Sequence, residues 1–119
     1  RERVVAVTVV FNQVQMLQYQ VELMRAMAEE AVDFLVVINS PTVELREEYK
    51  ALCRAMRLRC VEPPASETAP LTAFTASGNH SRALNWAWRA LVLPDYRATH
   101  ALALILDADV FPLGPVSFR

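Results

Sequence analysis

The sequence predicts an α/β fold, a three-layer sandwich around a mostly parallel sheet. Three observations carry this. Short apolar runs rich in Val, Ile and Leu recur without the polar alternation of a half-exposed strand, which marks strands buried on both faces. Between them lie stretches whose apolar residues recur every three and four positions, the spacing of amphipathic helices. The two kinds of segment alternate, and that rhythm builds a parallel sheet.

Val4 to Phe11 (VVAVTVVF) reads as the first strand and ends at Asn12. Val14, Leu17, Val21, Met24 and Ala28 then line one side of a helix of about four turns, with Glu22, Arg25, Glu29 and Glu30 outside the stripe. Asp33 punctuates the chain before Phe34 to Ile38 (FLVVI), a second buried strand. Asn39-Ser40-Pro41 supplies a helix start, with Ser40 as N-cap and Pro41 at the first helical position. That helix carries Leu45, Tyr49, Leu52 and Met56 on one side. Leu58 to Val61 is the third strand that the rhythm requires, and Glu62 to Gly78, with three prolines, is a long loop. A third helix begins near Asn79, presents Leu84, Ala87, Trp88 and Leu91, and ends at Pro94-Asp95. Asn85 within it is expected to be a buried polar residue. Ala101 to Leu106 (ALALIL) is a fourth strand and leads into Asp107-Ala108-Asp109.

Right-handed crossovers restrict how these elements wind. Two crossovers in one direction and a third back past the first strand give the strand order 3-2-1-4. The first two helices then cover one face and the third covers the other. Ligands in such sheets sit outside the carboxyl ends of the strands where the order reverses. Here that crevice lies between the first and fourth strands, lined by Asn12, Asp107 and Asp109.

Composition narrows the function classes. With 119 residues, 54% hydrophobic and 21% charged, residues 1–119 form one domain able to fill a core. Twelve basic residues against thirteen acidic ones give a net charge of −1, so no polybasic face for nucleic acid or anionic lipid is expected. No apolar run approaches the ~20 residues of a membrane span, and Arg1-Glu2-Arg3 opens no export signal. Cys53 and Cys60 are too few for a disulfide framework and lack zinc-site spacing, so both are expected as reduced, buried thiols.

Asp107 and Asp109 are the residues with the clearest chemistry. Two carboxylates one residue apart repel each other, and a hard divalent cation with oxygen ligands relieves that repulsion. A Mg²⁺ or Mn²⁺ held there could in turn hold a diphosphate.

The stretch SGNHSRALNWAWRALV, followed after a short loop by ALALILDADVFPLGP, resembles the nucleotide-sugar-dependent glycosyltransferases of the GT-A fold, particularly the family-2-like group. Many of these carry an ALN-containing helix before a strand ending in LDAD. The likeness covers nearly the whole chain in element order, and HSRALN and ILDADVFP are its specific parts. It implies hexosyl transfer from a UDP- or GDP-sugar to an acceptor hydroxyl, with Mn²⁺ or Mg²⁺ as cofactor. Asp107 matches the acid near the ribose and metal, and Asp109 the acid that coordinates the metal on the donor diphosphate. Phe11 and Asn12 lie where the loop after the first strand meets the base. Asn39 and Ser40 stand where many relatives place an Asp that holds the nucleoside, a departure that leaves the base open. His80 and Arg82 open the third helix, whose N–H groups and dipole favour phosphate, and Arg82 can add a bidentate clamp. In the family the catalytic base and the acceptor-binding strands lie downstream. The chain is therefore expected to be the donor-binding part of such a domain, truncated after its metal motif.

Two other readings compete. Haloacid-dehalogenase-like phosphohydrolases also end a strand in D-x-D, the first Asp as nucleophile and the second as general acid. Their motif continues with Thr or Val where this chain has Phe111, and it sits on the first strand. A non-catalytic nucleotide-sugar-binding module is the other, although the D-x-D is intact. Dinucleotide and P-loop folds are excluded, because Val10-Phe11-Asn12-Gln13 contains no glycine.

Overall fold

Every residue from Val4 to Val10 is buried in the first strand, β1 (Arg3–Val10). A strand so enclosed must pair on both edges and be covered on both faces, or its backbone groups would be left without partners. β2 (Ala31–Ile38) and β4 (Leu102–Leu106) flank it in parallel, and β3 (Arg59–Val61) pairs in parallel with β2. The order is β3-β2-β1-β4, the one expected when two crossovers run one way and the third returns past the first strand. A computed structural model describes residues 3–64 and 76–118, with the side chains of 76–80 left out.

Alternation along the strands divides the core into two layers. Helices α1 (Val14–Met27) and α2 (Val43–Met56) set Leu17, Val21, Met24, Tyr49 and Cys53 against Ala6, Val10, Phe34, Val36 and Ile38. On the other face, α3 (Ala76–Ala87) and the turns after it set Ala83, Ala87 and Val92 against Val5, Val7, Val9, Leu35 and Val37. Helices cover both faces, so the three-layer sandwich stands. Among the described residues no helix is long and apolar enough to cross a membrane.

Several boundaries differ from the sequence expectation, each for a physical reason. The second helix is capped by Thr42, whose Oγ1 accepts from Leu45 N–H at 3.2 Å, so Ser40 and Pro41 precede the helix instead of opening it. The third helix starts at Ala76, before Asn79, while most of the expected loop lies outside the described residues. Nor does it stop at Pro94. It widens into a π turn over Trp88–Val92 and continues as α4 (Leu93–Tyr96). A proline ring clashes with the carbonyl four residues back in an α-helix, and the wider turn relieves that crowding. Asn85 is exposed, not buried. Cys53 is buried but Cys60 only half so, and both are free thiols. Burial pushes the Cys53 thiol up to about 12, with the neighbouring Cys60 adding to the rise, so it stays protonated at neutral pH.

Glu30, expected outside the apolar stripe, is buried. Its carboxylate accepts from Ser117 Oγ at 3.0 Å and from Phe118 N–H. Beside it Val116 N–H donates to Met27 O and Glu29 N–H to Val116 O. The chain after Asp109 thus returns along the first helix to its C-terminal end.

Asp33 lies inside β2, at the end of the sheet opposite the candidate crevice. Its Oδ2 lies 2.7 Å from His100 Nε2 and 2.5 Å from Arg3 NH2. An ionised carboxylate only accepts, so the imidazole carries its proton on Nε2 there. Burial raises the Asp33 pKa, but the hydrogen bonds from His100 and Arg3 outweigh it and hold the carboxyl below its ordinary 3.8. A carboxyl depressed by folding stabilises the fold above its unfolded value, and that contribution is lost as pH falls through the folded value. Asp33→Asn is therefore expected to lower the urea midpoint at pH 7. The gap to the parent closes below an ordinary carboxyl value of about 3.9, as urea titrations at several pH values will test.

Candidate functional site

The carboxyl ends of β1 and β4 lie side by side where the strand order reverses. From β1 the chain passes through Phe11, Asn12 and Gln13 into the first helix. Asn39 N–H donates to Val10 O at 2.9 Å, which carries the β1–β2 ladder one bond beyond the strands. Gln13, just before the helix, makes no side-chain cap. Its own N–H instead donates to the hydroxyl of Tyr49 at 3.0 Å. Tyr49 is wholly enclosed, and burial pushes its phenol above the usual tyrosine value. It fixes the β1 loop from beneath.

Across from this loop β4 ends in a turn. Val110 N–H donates to Asp107 O at 3.1 Å. The Gln20 side chain, buried on the first helix, donates through Nε2 to Asp107 O at 2.8 Å and to Val110 O at 2.6 Å. Both ends of the turn are thereby tied to α1.

Between loop and turn lies a cavity of about 220 Å³, lined by Phe11, Asn12, Gln13, Met16, Tyr49, Ala108 and Asp109. Its charged side chain is the Asp109 carboxylate, which is exposed. Met16, Tyr49 and the half-exposed Phe11 give it apolar walls. Asn12 and Gln13 add side-chain amides that can donate and accept.

Three of the residues expected from sequence, Phe11, Asn12 and Asp109, therefore meet in one cavity. Asp107 does not line it. Alternation explains the difference, since Leu104 and Leu106 pack on the side of the first two helices and the next extended residue points the other way. Asn39 and Ser40 also stand outside the lining. Ser40 is buried, its carbonyl accepts from Arg46 at 3.1 Å, and its Oγ has no partner among the described residues. Arg82 is an exposed residue of the helix on the opposite face and is not among the lining residues. The His80 side chain lies outside the described residues.

Tyr49 and Gln20 were not anticipated as site residues. Tyr49 reads as one more member of an apolar stripe. Gln20 did leave a signal, a polar residue between Leu17 and Met24 on the buried side of a helix.

A metal ion held at this cavity would have one carboxylate of its wall, Asp109, as protein ligand. Among the described residues no group of three or more His, Cys, Asp or Glu could hold a metal, so a cage of protein ligands is not formed. Mg²⁺ and similar hard ions instead take one or two carboxylates, keep several waters and share a phosphate. The exposed Asp109, with Asp107 two residues away in the chain, suits that mode.

Comparison of the chain with family models, curated proteins and solved structures returns no match. Tyr49→Phe should cost about 0.5–1.5 kcal/mol of stability, the worth of a lost hydrogen bond. Urea unfolding measures it, and an unchanged midpoint would show that the hydroxyl does not hold the loop.

Proposed function

We propose that this chain binds the donor of a glycosyltransferase of the GT-A type, a nucleoside diphosphate sugar linked to UDP or GDP, with Mn²⁺ or Mg²⁺. One observation carries the reading. Loop residues after the first strand and Asp109 after the fourth face a common cavity at the topological switch of a 3-2-1-4 parallel sheet, where such folds bind their ligands.

The roles follow from the side chains. Phe11 offers a ring on which a nucleobase can stack, and the Asn12 and Gln13 amides can pair with its edge or with the ribose. Asp109 holds a divalent ion through hard carboxylate oxygens. When bound, that ion neutralises charge on the departing diphosphate as a Lewis acid. Asp107, off the cavity wall, keeps the role that the family resemblance implies, near the ribose and the metal. The sugar goes to an acceptor hydroxyl of unassigned identity.

Calorimetric titration of UDP, GDP and their sugar conjugates, with and without Mn²⁺, tests this. The ion should tighten binding at least tenfold over the weaker binding of the nucleoside alone, and Asp109→Ala should abolish that gain, about 1.4 kcal/mol. Binding that ignores both the ion and the substitution overturns the metal site. Turnover of a phosphomonoester that disappears in Asp107→Asn would assign the carboxylates to phosphoryl chemistry instead.

A further inference from the structure

We infer that Gln20 is a positioning residue, whose carboxamide holds the Asp107–Val110 turn so that Asp109 faces the cavity. The inference deepens the donor-site reading above and rests on it. Gln20 is completely buried on a helix whose neighbouring inward residues, Leu17, Val21 and Met24, are apolar. A polar side chain in such a place costs free energy unless it is hydrogen-bonded. Its two N–H groups are both used, one on the carbonyl that begins the turn and one on the carbonyl that ends it. Its Oε1 is buried with no partner among the described residues. Leu or Met at this position would remove the unpartnered Oε1, but would also take from the Asp107 and Val110 carbonyls the donors they accept from. What Gln adds is a pair of donors reaching both ends of the turn.

The consequence is geometric. The turn has one backbone hydrogen bond of its own, Val110 N–H to Asp107 O. That bond closes the turn but does not orient it against the rest of the molecule. The Gln20 bonds do, because they come from the helix that begins at the opposite wall of the cavity. Gln13 and Met16 on one wall and Asp109 on the other are thus spaced through α1. Were a divalent ion held by Asp109 to share a diphosphate, the position of Asp109 against the β1 loop would set how well both are held. Contacts to the nucleoside, made by the β1 loop, do not depend on that position.

The test separates these two parts of binding. In the parent chain, the side-chain NH₂ protons of Gln20 should be seen by NMR to exchange with solvent more than ~100-fold slower than those of an exposed Gln, as buried bonded amides do. Exchange at the exposed rate overturns the clamp. Gln20→Met keeps the length and apolar fit of the stem and removes both donors. By calorimetry it should lose roughly tenfold or more in affinity for UDP or GDP in Mn²⁺, while any affinity measured in EDTA stays within twofold of the parent. Should Gln20→Met not fold, the parent exchange rates decide whether the clamp exists, and Gln20→Asn, whose neutral carboxamide is one methylene too short to reach both carbonyls, replaces it in the titration. Equal loss with and without Mn²⁺ would overturn the positioning role in favour of a purely structural one. Absence of Mn²⁺-dependent binding in the parent, with the Gln20 amide protected, would overturn the donor-site reading and the functional role with it.

Discussion

The enclosure of β1 is the constraint on which the rest of the structure depends. A strand buried from Val4 to Val10 can keep its backbone groups paired only with a neighbour on each edge. It can keep its side chains dry only with helices on both faces. Parallel neighbours need long crossovers, and helices that supply the crossovers also supply the cover. Once β2 and β4 lie on opposite edges of β1, the chain must reverse its direction across the sheet. The reversal separates the loops above β1 and β4 and leaves a crevice between them. The cavity lined by Phe11, Asn12 and Asp109 is the result.

The first helix links this core to the crevice. Its apolar residues cover the sheet, its beginning forms one wall of the cavity, and its buried Gln20 ties down the turn that forms the other. Its far end holds the returning chain through Met27, Glu29 and the buried Glu30. The polar groups that matter most are accordingly attached to an element whose first task is packing. At the opposite end of the sheet, Asp33 with Arg3 and His100 joins the starts of the strands by charge-assisted bonds. The crevice end is left with an exposed carboxylate, and the other end with a satisfied one.

Much of the fold was legible because burial on two faces writes itself into composition. Runs such as VVAVTVV and FLVV have few competing interpretations, and the helical spacings between them supply the alternation that sets a parallel sheet. Asp109 and Asn12 were legible as partners once the third crossover was taken to return past the first strand, which sets the ends of their strands together. Boundaries were less so. Thr42 displaced Ser40 as the cap because the helix begins at Val43, which puts Thr42 in the capping position with its Oγ1 on Leu45 N–H and leaves Ser40 two residues outside it. The helix ran past Pro94 because a π turn absorbed the clash. Glu30 was misplaced because its partners, Ser117 and Phe118, are far along the chain.

The sequence by itself determined the class of fold and the succession of strands and helices, since periodicity is a local rule, and right-handed winding restricted the strand orders to a few, the observed β3-β2-β1-β4 among them. Only the tertiary structure decided which side chains share the cavity. Asp109 enters it and Asp107 does not, because the alternation of β4 and the turn after it set their directions. Tyr49 and Gln20 join the site through bonds that span 36 and 87 residues, and a pattern within a single helix carries no information about a partner so distant.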